Sequence, residues 1–245
     1  MRTEHEAWHS PLTGQRMEIK AYGWAGKPLL VFPTSGGSFH EYEDFGMIGA
    51  IEPFIDEGRI CVFAVDSLDG QSWLNGNAPP EEKVGRHEAY ERYIVGEVMP
   101  FIEERLGEGV KALATGCSLG AYHAANFFFR HPDLFDAVIS LSGLYSLRFS
   151  LGDSLEGGTY FHSPLDYLPG LEDSWFLDRY RRSRLVFCTG QGAWEEDSIR
   201  ETLALKGILE SKSIPAWVDL WGHDVYHDWP WWQRQMPYFL GKLGY

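Results

Sequence analysis

Short apolar runs alternate with longer helical stretches along most of this chain of 245 residues. The runs are rich in Val, Leu, Ile and Phe, a composition typical of buried strands. They begin at Met17, Pro28, Arg59, Val110, Ala137, Arg184 and Pro215. Helices are predicted over 43–56, 81–106, 119–130, 198–211 and 230–243. Strands that alternate with helices predict an α/β fold with a mostly parallel central sheet and helices on both faces.

The domain organisation is predicted to be simple, because the chain has no internal repeat, low-complexity tract or polar linker. Its length falls within the range of one α/β domain, so we predict a single domain over residues 1–245. One connection, around residues 145–182, is longer than connections between such elements usually are. We expect this insertion to form a cap over a substrate pocket, and the alternative is a surface excursion with its own packing.

Charge and cysteine content limit the partners and the compartment. A net charge of −14 would repel phosphate backbones and anionic membranes, so neither nucleic acid nor a membrane is an expected partner. A neutral or cationic small molecule fits this charge better than an anionic one. Cys61, Cys117 and Cys188 lack CxxC spacing and lie in or beside apolar runs, which indicates reduced and buried thiols. Because the N-terminal stretch is charged and no long apolar segment follows, we expect a cytoplasmic protein.

One serine lies in a GxSxG motif formed by Gly116, Ser118 and Gly120. The motif alone is weak, because a chain with 27 glycines contains it by chance fairly often. Its context is more specific, since an apolar run precedes it and a helix-forming segment follows it. Ser118 is therefore predicted to lie on a sharp turn from strand to helix, which is where α/β-hydrolases carry their nucleophile.

A serine nucleophile needs a general base and an acid that orients the base, and in this fold both are expected in loops after later strands. The first of these loops offers Glu195, Glu196 and Asp197. Asp197 lies just before a capping-box pattern of Ser198 and Glu201, where a carboxylate stabilises the start of a helix without any catalytic role. Glu195 lies nearer to the end of the strand, so it is the preferred acid, and the other two carboxylates are alternatives.

The second loop offers His223 and His227 as candidate bases. Their HxxxH spacing would suit a metal ion if the loop were helical, with Asp224 or Asp228 as a further ligand. Trp229 precedes a proline, however, which favours an extended backbone at the end of this segment. We therefore expect no metal and no other cofactor, and we interpret His223 as a residue that hydrogen-bonds within its own loop.

The tetrahedral intermediate of acyl transfer needs two backbone N–H donors, which together form an oxyanion hole. Leu119, the residue after the nucleophile, is expected to supply the first. The second is expected from the loop after the run that starts at Pro28, where Ser35 is preferred and Gly36 is the alternative. Trp73 is predicted either to line the substrate pocket or to pack beneath a loop.

Several segments resemble the putative-esterase family of α/β-hydrolases, which includes esterase D type S-formylglutathione hydrolases, feruloyl esterases and mycolyltransferases. The segments EAYERYIVGEVMPFIEERL, from Glu88, and FFFRHPDLFDAVISLSG, from Phe127, are similar to those on either side of the family's nucleophile. HDWPWW, from His227, resembles the family's histidine and two tryptophans. QGAWE resembles the family's QGxxD, with Glu195 at a position where aspartate is commoner. The resemblance implies a triad of Ser118, Glu195 and His227.

These observations predict a serine carboxylesterase that forms an acyl-enzyme on Ser118 and releases the acyl group to water. An acyltransferase that passes the acyl group to an amine or alcohol is the nearest alternative, because both reactions use the same machinery. A catalytically silent binding protein is the second alternative, since the chain contains 10 Trp residues that could line a binding site.

Overall fold

The computed structural model describes residues 1–152, 155 and 157–245. Within these residues, eight strands form one sheet in the order β1-β2-β4-β3-β5-β6-β7-β8. They are β1 (Thr3–Ser10), β2 (Gln15–Tyr22), β3 (Lys27–Phe32), β4 (Ile60–Val65), β5 (Ala112–Cys117), β6 (Phe135–Leu141), β7 (Arg184–Thr189) and β8 (Trp217–Leu220). The six strands from β4 to β8 in this order pair in parallel, whereas β1 and β2 add an antiparallel edge.

Helices pack against both faces of the sheet. They are α1 (Glu41–Asp44), α2 (Met47–Asp56), α3 (Pro80–Tyr93), α4 (Met99–Leu106), α5 (Leu119–Arg130), α6 (Arg148–Leu151), α7 (Pro164–Tyr167), α8 (Ser174–Arg182), α9 (Glu196–Ser211) and α10 (Trp229–Leu243). A π-helical turn, Ile94–Val98, joins α3 to α4. The predicted α/β-hydrolase fold is confirmed.

The two faces of the sheet bury separate hydrophobic clusters, because side chains alternate along each strand. Leu30 of β3 packs in a cluster with residues of α3, α4, α5 and α9. Its neighbours Leu29 and Val31 pack in a second cluster with residues of α2 and α10. Central strands are therefore apolar at successive positions, which is why the pattern of apolar runs predicts them well.

Strand β1 is the one strand of the described sheet that the apolar pattern does not predict. Its residues are mostly exposed or half-buried, and of its eight positions only Ser10 is buried. Pairing with β2 aligns Trp8 with Met17, and the Trp8 ring packs on Tyr93 and Phe101. An edge strand with one apolar anchor produces no continuous apolar run, so the sequence pattern gives it no signal.

The predicted cap insertion lies between β6 and β7 and includes α6, α7, α8 and two short 3₁₀ turns. Residues 153, 154 and 156 of this prediction lie outside the described residues. The insertion packs on α5, since the Tyr122 hydroxyl donates to the carbonyl oxygen of His162 at 2.9 Å and the Tyr180 hydroxyl donates to that of Phe129. That the insertion covers a substrate pocket stays a prediction.

The predicted capping box at Ser198 is wrong, because α9 begins two residues earlier, at Glu196. The Ser198 hydroxyl donates instead to the carbonyl oxygen of Ser142, at 3.2 Å. The Glu201 carboxylate accepts hydrogen bonds from the backbone N–H groups of Tyr145 and Ser146. Both side chains thus bind the chain that follows β6, and this tertiary contact takes the place of a local cap.

Cys61, Cys117 and Cys188 are free and buried in the sheet, in agreement with the prediction from their surroundings. Burial raises the pKa of the Cys61 thiol to about 11, so this side chain stays a neutral thiol near neutral pH. Among the helices of the described ranges, none is both long and apolar enough to cross a membrane.

Candidate active site

Ser118 occupies the turn between β5 and α5, and its backbone has φ 55° and ψ −121°. A positive φ is costly for a residue with a side chain and is characteristic of strained functional turns. The backbone N–H of Ser118 donates to the carbonyl oxygen of Leu141 at 2.9 Å, which ties the turn to the neighbouring strand β6. The predicted strand-to-helix turn is therefore present at this serine.

The two glycines of the motif are required by close packing of backbone against backbone. A Cβ atom on Gly116 would lie 2.4 Å from the carbonyl oxygen of Gly120. A Cβ atom on Gly120 would lie 2.3 Å from the carbonyl oxygen of Phe32 and 2.6 Å from that of Pro33. Any side chain at either position would force strands β3 and β5 and helix α5 apart.

His227 lies in the loop between β8 and α10 and connects Ser118 to an acid. Its Nε2 atom is 2.9 Å from the Ser118 Oγ atom, and its Nδ1 atom is 3.1 Å from the Oε2 atom of Glu195. Its own backbone N–H donates to the carbonyl oxygen of Ala193 at 3.1 Å, which joins the loop of the base to the loop of the acid. These contacts have the geometry of a serine, histidine and carboxylate relay, in which the histidine would act as base and the carboxylate would orient it.

Glu195 is completely buried at the end of the loop after β7. Its Oε2 atom accepts from the Thr189 hydroxyl at 2.9 Å, and its Oε1 atom accepts from the Ser142 hydroxyl at 2.6 Å. These hydrogen bonds hold the carboxylate in place, since each donor stabilises a buried negative charge. Asp197, in contrast, is 69% exposed and pairs with Arg200 at 2.5 Å, so the structure brings Glu195 to the imidazole and leaves Asp197 at the surface.

His223 lies apart from this relay. Its side chain is exposed, and its Nδ1 atom lies 3.4 Å from the carbonyl oxygen of Gln191 in the loop after β7, so the predicted hydrogen bond within its own loop is wrong. The segment from His223 to His227 precedes α10 and is not helical, so the two imidazoles do not share one helix face. Across the described residues, no group of three or more His, Cys, Asp or Glu side chains could hold a metal ion.

The loop after β3, which carries Ser35, lies beside the nucleophile because Gly120 packs against Pro33. A turn closed by a hydrogen bond from Gly37 N to Thr34 O, 3.0 Å, places Ser35 and Gly36 at its tip. Both residues are exposed, and Gly36 has φ 73°. Leu119 follows Ser118 as the first residue of α5. The roles of Leu119 and of Ser35 or Gly36 as oxyanion donors stay predictions.

A buried carboxylate that the sequence pattern does not reveal holds this loop. Glu41 is 7% exposed and accepts hydrogen bonds from Thr34, at 2.7 Å from the backbone N–H and 2.6 Å from the hydroxyl. Burial raises the pKa of the Glu41 carboxyl, and the Thr34 hydrogen bonds oppose that rise. A glutamate in a short polar segment gives no sequence signal that separates it from a surface residue.

Trp73 is only 1% exposed and packs in a small cluster with Leu119, Tyr122 and Leu147. Its ring also lies 4.7 Å from that of His87, centroid to centroid. These are the contacts of a side chain packed beneath the surface, and one of them is to the residue after the nucleophile. Its alternative role in lining a substrate pocket stays a prediction.

Solved structures of esterases share this fold. The chain superposes on a ferulic acid esterase with a TM-score of 0.74 at 15% identity, covering 96% of this chain and 95% of that one. For an S-formylglutathione hydrolase from Agrobacterium tumefaciens the TM-score is 0.75 at 12% identity, with 98% and 93% covered. For a fluorophosphonate-binding serine hydrolase from Staphylococcus aureus it is 0.71 at 16% identity, with 98% and 97% covered. The TM-scores show a shared fold, and at identities this low the similarity shows the fold alone.

Sequence similarity identifies the family. A comparison with proteins of curated function finds no match to the chain. The model of the family described as putative esterase matches residues 55–243, which include the nucleophile turn and both later loops. The chain therefore belongs to the putative-esterase family of α/β-hydrolases and is a serine hydrolase that acts on ester bonds.

Proposed function

We propose that this protein is a carboxylesterase that forms an acyl-enzyme on Ser118. The observation that carries the proposal is the continuous relay in which His227 lies 2.9 Å from the Ser118 Oγ atom and 3.1 Å from the Glu195 carboxylate. Both distances are within the range in which a proton can pass from nucleophile to base and the base can be oriented by an acid. A catalytically silent protein would have no need to keep this geometry.

In the first half-reaction, the Nε2 atom of His227 takes the Ser118 proton as the Oγ atom attacks the ester carbonyl carbon. The Glu195 carboxylate accepts from the Nδ1–H group, which selects the tautomer with a free Nε2 and stabilises the imidazolium. The negative charge on the carbonyl oxygen is stabilised by the backbone N–H groups of Leu119 and Ser35. The imidazolium then protonates the alcohol as the C–O bond breaks and leaves the acyl group on Ser118.

In the second half-reaction, water enters where the alcohol left. His227 takes a proton from this water as its oxygen attacks the acyl carbon, and the imidazolium returns that proton to the Ser118 Oγ atom as the carboxylic acid departs. The net charge of −14 favours a neutral or cationic ester over an anionic one. An amine or alcohol acceptor in place of water would make the protein an acyltransferase through the same acyl-enzyme.

The test combines labelling with turnover. Wild type and the Ser118→Ala variant are incubated with a fluorophosphonate probe, and their intact masses and their hydrolysis of p-nitrophenyl esters of graded chain length are measured. We expect one adduct and turnover in the wild type, and neither in the variant. Equal labelling or equal turnover in the variant would contradict the proposal. Product analysis with added amine or alcohol separates hydrolysis from acyl transfer, which would appear as a new ester or amide.

A further inference from the structure

Ser142 lies just after β6 and contacts the acid of the relay from the side opposite His227. Its hydroxyl donates to the Glu195 Oε1 atom at 2.6 Å, while His227 contacts the Oε2 atom. The indole N–H of Trp232 donates to the Ser142 Oγ atom at 3.0 Å. The Trp232 ring also packs edge to face against the His227 imidazole, with centroids 5.0 Å apart and planes at 84°. The four side chains therefore form a closed ring of contacts.

The backbone at Ser142 indicates that its hydroxyl has a specific task. The residue has φ 53°, in the left-handed region that favours glycine. Its backbone is held without any help from the hydroxyl, because its N–H donates to the Cys188 carbonyl at 2.7 Å and its carbonyl accepts from the Ser198 hydroxyl. Glycine would suit this conformation better, so a serine here retains a backbone strain that its hydroxyl is not needed to maintain.

The direction of each hydrogen bond shows what the hydroxyl does. A hydroxyl has a single hydrogen, and Trp232 donates to the Ser142 oxygen, so that hydrogen is left to point at Glu195. A donor fixed on Oε1 holds the carboxylate plane and keeps Oε2 turned towards the Nδ1 atom of His227. Trp232 lies in the first turn of α10, directly after the loop that carries His227. Its side chain contacts both the Ser142 hydroxyl and the His227 imidazole.

We infer that Ser142 and Trp232 are positioning residues for the proposed relay. They do not contact the Ser118 Oγ atom or take part in proton transfer. They act by restricting the rotation of the Glu195 carboxylate and of the His227 imidazole before substrate binds. This inference rests on the proposed esterase function, because positioning has a measurable effect only if the relay turns over.

Ser142→Gly tests this inference, because it removes the hydroxyl and also relieves the backbone strain. We expect its melting temperature to be equal to or above that of the wild type, while kcat falls roughly 10- to 100-fold with KM nearly unchanged. The matched control is Ser213→Gly, at an exposed serine after α9 that also has positive φ, 54°. It relieves the same kind of strain away from the relay, so its kcat should equal that of the wild type.

Trp232→Phe keeps an aromatic ring beside His227 but removes the N–H donor to Ser142. We expect kcat to fall less than in Ser142→Gly, and the double variant to be no slower than Ser142→Gly alone, because the indole N–H acts through the hydroxyl. Trp217→Phe, in β8 and packed on Phe239, is the control for the loss of an indole. It should leave kcat unchanged.

The outcomes separate this inference from the proposed function. If Ser142→Gly folds and keeps kcat within about twofold of wild type while Ser118→Ala is inactive, the positioning inference is wrong and the serine mechanism stands. If Ser118→Ala retains full turnover, the proposed function itself fails. Should Ser142→Gly melt well below the wild type, the hydroxyl also stabilises the fold, and the kcat per folded molecule of Ser142→Ala, which keeps the strained backbone, decides the question. A wild-type kcat in Ser142→Ala overturns the inference, and a fall of roughly 10- to 100-fold supports it.

Discussion

Gly116 and Gly120 meet inside the turn that carries Ser118, so closely that a Cβ atom on the first would overlap the carbonyl group of the second. The two residues belong to β5 and α5, and their contact sets how near the helix can approach the strand. This approach places the half-buried Ser118 at the carboxyl edge of the sheet, where the loops with Glu195 and His227 also lie. The geometry of the relay therefore depends on two positions that have no side chain.

Gly120→Ala should destabilise the fold and abolish turnover, because its Cβ would lie 2.3 Å from the backbone oxygen of Phe32, which cannot move without β3. We expect a loss of about 1–3 kcal/mol or more in the free energy of unfolding, measured by urea denaturation. The control is Gly207→Ala, at an exposed position of α9 with no atom within 4 Å of the added methyl. It should stabilise the protein by up to about 1 kcal/mol and leave turnover unchanged.

The sequence predicted the strands that are buried on both faces, and the reason is physical. Such strands need apolar residues at successive positions, so the runs that form β3, β4, β5, β6 and β7 are visible along the chain. β1 has one face in solvent and is held by its pairing with β2 and by Trp8, a combination that depends on residues far away in the chain. The sequence pattern places the start of α9 two residues too late, because Ser198 and Glu201 bind the segment after β6 instead of capping the helix.

In the candidate site, too, some residues can be predicted from the sequence and others depend on contacts between distant parts of the chain. Ser118, Glu195 and His227 could be predicted because the fold dictates which loops must carry them and in what order. Ser142 could not, since its partner Glu195 is 53 residues away and nothing in the apolar run ISLSG distinguishes its last serine from a strand residue. Glu41 was missed for a related reason, because its burial arises only when the loop after β3 folds over it.

His227→Ala should lower kcat by about 10⁴-fold, because no other described side chain within reach of the Ser118 Oγ atom can take its proton. His223→Ala should lower kcat less than roughly tenfold, since the hydrogen-bond partner of its imidazole within the described part of the chain is a backbone carbonyl of the neighbouring loop. Steady-state kinetics with one p-nitrophenyl ester compares the two variants. Comparable losses in both would show that His223 also takes part in turnover.

EDTA should leave the turnover of the purified enzyme unchanged, because the proposed relay needs no metal and the described residues contain no cluster of three suitable ligands. The measurement is the rate of ester hydrolysis after incubation with chelator and desalting, with and without added Zn²⁺. A loss of activity that Zn²⁺ restores would contradict the metal-free mechanism and return His223 and His227 to consideration as ligands.

The stability of the protein should fall as the pH is lowered below about 6.5, because two buried histidines stay neutral in the folded state. Burial lowers the pKa of His162 to about 3 and that of His87 well below its usual value. In the unfolded chain both histidines bind a proton near pH 6.5. Below that pH, each of them therefore lowers the free energy of unfolding by about 1.4 kcal/mol per pH unit.

Urea denaturation at pH 7.5 and pH 5.5 measures this effect, and we expect the free energy of unfolding to be lower by about 2.7 kcal/mol at the lower pH. Glu91 does not contribute to this difference between the two pH values. Burial raises the pKa of its carboxyl, but hydrogen bonds from His131 and Arg130 outweigh burial and lower that pKa to about 2. The stabilisation that this carboxylate provides is therefore lost only below about pH 4.5. His162→Gln should show about half the wild-type difference. An unchanged pH dependence in that variant would contradict the assignment.

Glu195→Gln tests the acid of the relay with almost no change in shape. The amide keeps the volume of a completely buried side chain, but it is uncharged and cannot stabilise the imidazolium. If its NH₂ group faces Nδ1, it also favours the tautomer whose Nε2 carries a proton and so cannot take one from Ser118. We expect kcat to fall by about 10³- to 10⁴-fold while labelling by a fluorophosphonate slows in parallel.

Asp197→Asn is the matched control, because Asp197 lies two residues away, is 69% exposed and pairs only with Arg200 among the described residues. It should keep the wild-type kcat and weaken the start of α9 by about 0.5 kcal/mol at most. If Asp197→Asn loses turnover and Glu195→Gln keeps it, the acid is Asp197, and the loop between β7 and α9 must rearrange when substrate binds.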